Sequence, residues 1–133
     1  MPDRITTAEA LAAFLHEARS APTVAVDTEA ASFHRYLDRI YLVQLSTGSR
    51  TALVDPLAAT DLGPLGAFLS DPTVEKVFHD ADYDLRILDR DYGFHARRVF
   101  DTRIAAQLVG EPAIGLAALL QRYAGVALAK VHQ

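Results

Sequence analysis

The stretch Val24-Ala25-Val26-Asp27-Thr28-Glu29 is the most informative part of this 133-residue sequence. Side chains alternate between the two faces of a β-strand, so the two valines would share one face and the carboxylates of Asp27 and Glu29 the other. The Cα atoms of these two acidic residues would lie about 7 Å apart. Carboxylates placed so close together repel each other and lose hydration unless a cation compensates. The pattern therefore suggests a divalent metal site, and the simpler alternative is a strand that runs into solvent with Asp27 starting a turn.

A further inward-facing carboxylate is predicted in segment 79–88. On a helix at about 100° per residue, Asp84 falls inside the apolar stripe and Asp82 lies on the opposite, solvated side. An inward aspartate seldom stays unpaired, so Asp84 is expected to meet a metal ion, a buried arginine or a neighbouring loop that it caps. Asp80 and Asp82 fit first-turn acids that favour the helix dipole. His79 fits a structural residue at a strand end, and contact with a substrate is the alternative.

The rest of the chain alternates between helical and strand patterns. A capping-box spacing at Thr6-Thr7-Ala8-Glu9 predicts a first helix that stops before Pro22. Further helices are predicted after caps at Asp61 and Asp101, over 81–91 and over 116–123, with strands at 23–27, 40–46, 51–54, 76–79 and 99–100. This order predicts an α/β fold with a mixed sheet of about five strands, part antiparallel and part parallel, flanked by helices.

Composition narrows the functional classes. A chain of this length fits one domain, taken here as residues 1–133. The net charge of −4 argues against a broad basic surface for nucleic acid, although an enzyme that grips phosphates through metal ions escapes that objection. There is no cysteine, no signal-peptide pattern and no apolar run long enough to span a membrane, so a cytoplasmic protein without a membrane partner is expected. The histidines show no zinc-ligand spacing: His16, His34, His79, His95 and His132.

Five ordered segments together resemble ribonuclease D and its DEDD exonuclease relatives. They are Val24 to Glu29, Tyr41-Leu42-Val43-Gln44-Leu45-Ser46, Leu53-Val54-Asp55-Pro56-Leu57, Lys76 to Leu85, and Phe100-Asp101-Thr102. The resemblance extends from about Ile5 to Lys130 and implies a ribonuclease H-like fold. It assigns Asp27 and Glu29 to the first exonuclease motif and Asp84 to the second.

The resemblance also implies a chemistry. In this family two Mg²⁺ or Mn²⁺ ions hold the terminal phosphodiester, so Asp27, Glu29 and Asp84 would be both catalytic and metal-binding residues. Asp27 would bridge both ions, Glu29 would bind the ion on the side of the nucleophile, and Asp84 would act on the other ion directly or through water. Oxygen ligands suit these hard cations. The implied partner is the 3′ end of single-stranded RNA, with DNA as an alternative substrate.

The sequence departs from the family pattern at the third motif, a Tyr-x-x-x-Asp on a later helix. Tyr123 is followed four residues later by Ala127, and the sequence stops at Gln133. The expectation is a domain truncated before this motif, weak or inactive by itself. The missing helix would leave an apolar patch on the sheet, with Leu116 and Leu120 as contributors, that invites self-association or capture of a partner segment. The alternatives are a natural variant that has lost part of its site, and a non-catalytic domain that binds nucleic acid or protein through an exonuclease fold.

Overall fold

The structure is a computed structural model that describes residues 1–32, 38–59 and 61–128. His34, His132 and the end of the family resemblance at Lys130 lie outside these residues. The helices and strands follow one another as β1 (Asp3–Ile5), α1 (Ala8–Ala18), β2 (Thr23–Ala31), β3 (Arg39–Ser46), β4 (Thr51–Val54), α2 (Gly63–Ser70), β5 (Glu75–Phe78), α3 (Ala81–Tyr92), β6 (Val99–Asp101), α4 (Thr102–Leu108) and α5 (Leu116–Ala124).

All the described strands form one mixed sheet in the order β1-β4-β3-β2-β5-β6. The pairs β2–β3 and β3–β4 are antiparallel, and the pairs β1–β4, β2–β5 and β5–β6 are parallel. The predicted mixed α/β sheet is therefore confirmed, with six strands instead of about five. The sequence pattern missed β1 because three residues, of which only Ile5 is buried, are too few to show alternation.

One face of the sheet carries the hydrophobic core. Along β2, Val24, Val26 and Thr28 are buried, whereas Asp27 and Glu29 on the other face are exposed. The predicted alternation of this strand is confirmed. Helices α1, α2 and α3 contribute to the same core through the buried residues Leu11, Phe14, Leu15, Leu65, Phe68, Leu69, Ile87 and Leu88. The carboxylates of β2 thus stand on the face opposite the core.

Two predicted helix starts are off by one residue. The N-cap of α1 is Thr7 and not Thr6, because the Thr7 hydroxyl accepts a hydrogen bond from the backbone N–H three residues later, at 3.2 Å. Asp61 does not cap α2, whose N-cap is Leu62. The Asp61 carboxylate instead accepts a hydrogen bond from the Gly63 N–H at 2.8 Å, which forms a turn just before the helix.

The two C-terminal helices leave an apolar surface open. Helix α5 contains no buried residue, and Leu108 and Tyr123 are 82% and 68% exposed. A groove of about 390 Å³ lies between α4 and α5 and is lined mainly by apolar side chains, Leu120 among them. Leu116 and Leu120 therefore contribute to an apolar groove between α4 and α5, whereas the expected patch lay on the sheet, and self-association stays a prediction. None of the described helices is both long and apolar enough to cross a membrane.

Candidate active site

The first acidic pair lies in the middle of the sheet. Strand β2 runs between β3 and β5, and Asp27 pairs with Gln44 of β3. The register of the β2–β3 pair shifts between Glu29 and Ala30, directly after the acidic pair. Such bulges bend a strand and redirect its side chains, and they are common beside active sites. The strand therefore presents both acidic residues on its exposed face, and its pairing with β3 shifts register immediately beyond them.

The second acidic position is buried on α3. Asp84 is 6% exposed and lies among the buried residues of the helix, whereas Asp82 is exposed. The helical register predicted from the sequence is confirmed. The hydroxyl of Thr28 donates a hydrogen bond to Oδ1 of Asp84, which links β2 to α3. Sequence reasoning missed this role of Thr28, although its place between two acidic residues on an otherwise apolar strand face was a usable signal.

The carboxylates of Asp27 and Glu29 act electrostatically on Asp84. Burial raises the pKa of Asp84 to about 6, although the hydrogen bond from Thr28 lowers it. The negative charges of Asp27, Asp80 and Glu29 make smaller contributions to this raised value. The charges of Asp27 and Glu29 therefore disfavour ionisation of Asp84, and a bound cation would offset this effect.

The donor set suits a hard divalent cation. Asp27, Glu29 and Asp84 offer only carboxylate oxygens, which Mg²⁺ and Mn²⁺ prefer. Within residues 1–32, 38–59 and 61–128, however, no group of three or more histidine, aspartate or glutamate side chains is arranged to hold a metal ion. The three residues fit the metal by their chemistry and mutual repulsion, and their assignment as its ligands stays a prediction.

A groove of about 340 Å³ opens beside Asp27 on the exposed face of the sheet. Asp27, Gln44, His79, Thr102 and Leu116 are among its lining residues. Partial burial of its carboxyl raises the pKa of Asp27, while the backbone N–H of Thr28 and the nearby His79 lower it. The Nδ1 atom of His79 lies 2.8 Å from the Thr102 hydroxyl oxygen, in agreement with the expected structural role at the strand end. Contact between His79 and a substrate stays a prediction.

The carboxylate of Asp101 holds the start of two helices. It accepts hydrogen bonds from the N–H groups of Arg103 (2.8 Å) and Ile104 (3.4 Å), so the predicted cap of α4 is confirmed. It also accepts hydrogen bonds from the N–H groups of Asp80 (2.9 Å) and Ala81 (2.8 Å) at the start of α3. This second role was not foreseen, because it depends on a contact between segments that are twenty residues apart. Asp101 thereby fixes the helix that carries the buried carboxylate.

Known proteins match both the sequence and the fold. The 3′–5′ exonuclease family model matches residues 2–133. Ribonuclease D of Escherichia coli is 38% identical over 127 residues, which are 95% of this chain and 34% of that protein. The exosome complex component 10 homolog of Caenorhabditis elegans is 37% identical over 130 residues, 97% of this chain and 15% of that protein. The chain thus spans about a third of the ribonuclease D relative, and less of the other.

Solved structures agree with these matches. The alignment with the crystal structure of E. coli ribonuclease D covers 98% of this chain and 35% of that protein's chain, with a TM-score of 0.91 and 36% identity. The alignment with a Trypanosoma brucei ribonuclease D in complex with RNA U12 covers 94% of this chain and 47% of that protein's chain, with a TM-score of 0.78 and 25% identity. The exonuclease family is metal-dependent. Because the family model matches residues 2–133 and the fold matches that of ribonuclease D over 98% of the chain, this chain belongs to the 3′–5′ exonuclease family and has a ribonuclease D-like, ribonuclease H-like fold.

Proposed function

We propose that this chain carries the first two carboxylate motifs of an exoribonuclease that hydrolyses terminal phosphodiesters at the 3′ ends of single-stranded RNA. The observation that carries the proposal is the acidic pair on the central strand, next to the register shift in its pairing with β3, whose two charges raise the pKa of the buried Asp84. The RNA-bound ribonuclease D among the similar structures supports RNA as the substrate.

Asp27, Glu29 and Asp84 would hold two Mg²⁺ or Mn²⁺ ions. When bound, such ions supply an activated water for the attack and stabilise the charge on the leaving 3′ oxygen. Asp27 and Glu29 are exposed residues on the face of the sheet opposite the core, where a phosphate can approach them. Because the chain has a net charge of −4, the proposed site needs cations between these carboxylates and the substrate.

The groove beside Asp27 would receive the terminal nucleotide. Gln44 and His79 both line this groove of about 340 Å³. Both side chains carry hydrogen-bonding atoms that suit a sugar or a base edge. Asp101 contributes indirectly, because it fixes the start of the helix on which Asp84 lies.

Residues 1–133 form one exonuclease domain in this proposal, and the family match over residues 2–133 supports that extent. The sequence contains no Tyr-x-x-x-Asp, which the family resemblance implies as the source of a fourth carboxylate. The proposal therefore includes a further carboxylate supplied from outside these residues. It also includes weak or no activity of the chain by itself, since one ion would keep only Asp27 and Glu29 as protein ligands.

A second candidate function is a non-catalytic domain that binds nucleic acid or a protein through the same fold. Two observations favour it: the sequence has no Tyr-x-x-x-Asp, and the described residues contain no side-chain group arranged to hold a metal ion. Self-association through the apolar surface of α4 and α5 belongs to this candidate as well, because exposed apolar patches often mark interfaces.

The experiment fuses this chain to the remaining two thirds of E. coli ribonuclease D, in place of the segment that it matches. The fusion protein is incubated with Mn²⁺ and single-stranded RNA labelled at its 5′ end. We expect stepwise shortening from the 3′ end, lost in Asp27→Asn. A DNA oligonucleotide of the same sequence tests the alternative substrate. A folded fusion protein that leaves both substrates intact would support the non-catalytic candidate. A fusion protein that works equally well with Asp27→Asn would contradict the place of Asp27 in the proposed site.

A further inference from the structure

Thr28 occupies an unusual place in the candidate site. It lies between the two acidic residues of β2, yet it is buried at 8% exposure and points to the core face of the strand. Its backbone pairs with Val43 in the sheet, so the position of the residue is fixed by the strand. Its hydroxyl donates to Oδ1 of Asp84, which is 56 residues away in the sequence.

This hydrogen bond constrains a rotation that the helix does not fix. The carboxylate of an aspartate rotates about its last side-chain bond within a broad energy well. Backbone position alone therefore leaves the direction of both oxygens of Asp84 poorly defined. A hydroxyl on a rigid central strand holds Oδ1 and directs Oδ2 away from itself.

We propose that Thr28 is a positioning residue whose hydroxyl holds the Asp84 carboxylate in the orientation that a divalent cation, or a water bound to it, requires. The inference rests on the proposed function. Partners of this kind are general in metal sites, and losing one typically weakens metal binding by about 10- to 100-fold. Thr28 lies between the two acidic residues of the first motif, and its hydrogen bond would connect that motif to Asp84 of the second.

The alternative is a purely structural threonine. A β-branched side chain suits a central strand, and a buried hydroxyl donates to whichever acceptor is near. Two substitutions distinguish the positioning role from the structural role. Thr28→Val keeps the branched shape and removes the donor, whereas Thr28→Ser keeps the donor and removes a methyl group.

The test measures Mn²⁺ affinity of the 133-residue chain from the electron paramagnetic resonance signal of free Mn²⁺, with urea unfolding as a check on folding. We expect Thr28→Val to weaken Mn²⁺ binding about tenfold or more and Thr28→Ser to stay within about twofold of the wild type. In an Asp84→Asn background, Thr28→Val should cause no further loss, because the partner that it positions has lost its charge. Thr28→Ala serves as a second variant without the hydroxyl if Thr28→Val does not fold.

The possible outcomes distinguish a failure of the positioning role from a failure of the proposed metal site. If the wild type binds Mn²⁺ in a way that Asp27→Asn abolishes, but the hydroxyl-free variants bind it equally well, the positioning role is wrong and the proposed metal site stands. If Thr28→Ser loses as much affinity as Thr28→Val, the role of Thr28 is structural. If Asp27→Asn leaves Mn²⁺ binding unchanged, the proposed metal site and this inference both fail.

Discussion

Replacing Asp101 should destabilise the protein more than the loss of an ordinary helix cap, because its carboxylate serves two helices. Its oxygens accept four backbone N–H groups, two at the start of α3 and two at the start of α4. An N-cap is worth about 1 kcal/mol. A negative charge near a helix N-terminus adds about 0.3–1 kcal/mol. Counting both helices, Asp101→Ala should lower the free energy of unfolding by about 2–4 kcal/mol.

Urea unfolding at neutral pH measures this loss, and α1 offers a matched control. Its N-cap Thr7 accepts a single backbone hydrogen bond at an exposed position, so Thr7→Ala should cost only about 1 kcal/mol. Asp101→Asn should fall between the two, since an amide keeps one acceptor oxygen and has no charge. If Asp101→Ala costs no more than Thr7→Ala, the carboxylate does not hold both helices.

The pH dependence gives a second check on Asp101. Burial would raise the pKa of its carboxyl, but the four backbone N–H groups outweigh burial and lower the pKa below its ordinary value. The stabilisation is therefore complete above the unfolded pKa of about 3.9 and is lost as the pH falls through the lower folded pKa. The stability difference between the wild type and Asp101→Asn should shrink below about pH 4. A difference that stays constant down to low pH would contradict the role of the charge.

Three further predictions follow from other parts of the fold. Burial lowers the pKa of the fully buried Lys76. The free energy of unfolding should therefore rise as the pH increases from that lowered pKa towards the unfolded value of about 10.4. Urea unfolding of Lys76→Met should show no such rise. Mn²⁺ should raise the melting temperature by binding the folded state, and an unchanged shift in Asp27→Asn would place the ion elsewhere. A Cβ at Gly66 would lie 2.5 Å from the ring of Phe94, so Gly66→Ala should cost about 1–3 kcal/mol despite the better helix propensity of alanine. In a Phe94→Ala background the same change should cost nothing, and a remaining loss in urea unfolding would exclude the clash as its cause.

Elements with a strong period were predictable from the sequence. Strand β2 alternates between buried and exposed residues as expected, and α3 buries Asp84 and exposes Asp82. The C-terminal end of α3 was also predictable, since Gly93 adopts the left-handed conformation that glycine favours. In each case the local pattern and the tertiary packing require the same arrangement.

Contacts between distant segments were not predictable from one sequence. No local pattern pairs Thr28 with Asp84, because a single chain shows which face a residue takes but not what lies opposite it. The second set of hydrogen bonds at Asp101 has the same origin, since β6 reaches the start of α3 only because it pairs with β5 in the sheet. Strand β1 was missed for a different reason, because three residues carry too little periodicity.

The assignment of Asp84 to the metal site is tested most directly by comparing Asp84→Asn with Asp82→Asn in the fusion protein, measuring the rate of RNA shortening from the 3′ end at saturating Mn²⁺. Both changes remove one negative charge from the same turn of α3, but only Asp84 is buried within the field of Asp27 and Glu29. We predict that Asp84→Asn abolishes most of the activity and that Asp82→Asn leaves it close to the wild-type rate. Equal losses at the two positions, or full activity in Asp84→Asn, would contradict the proposed site.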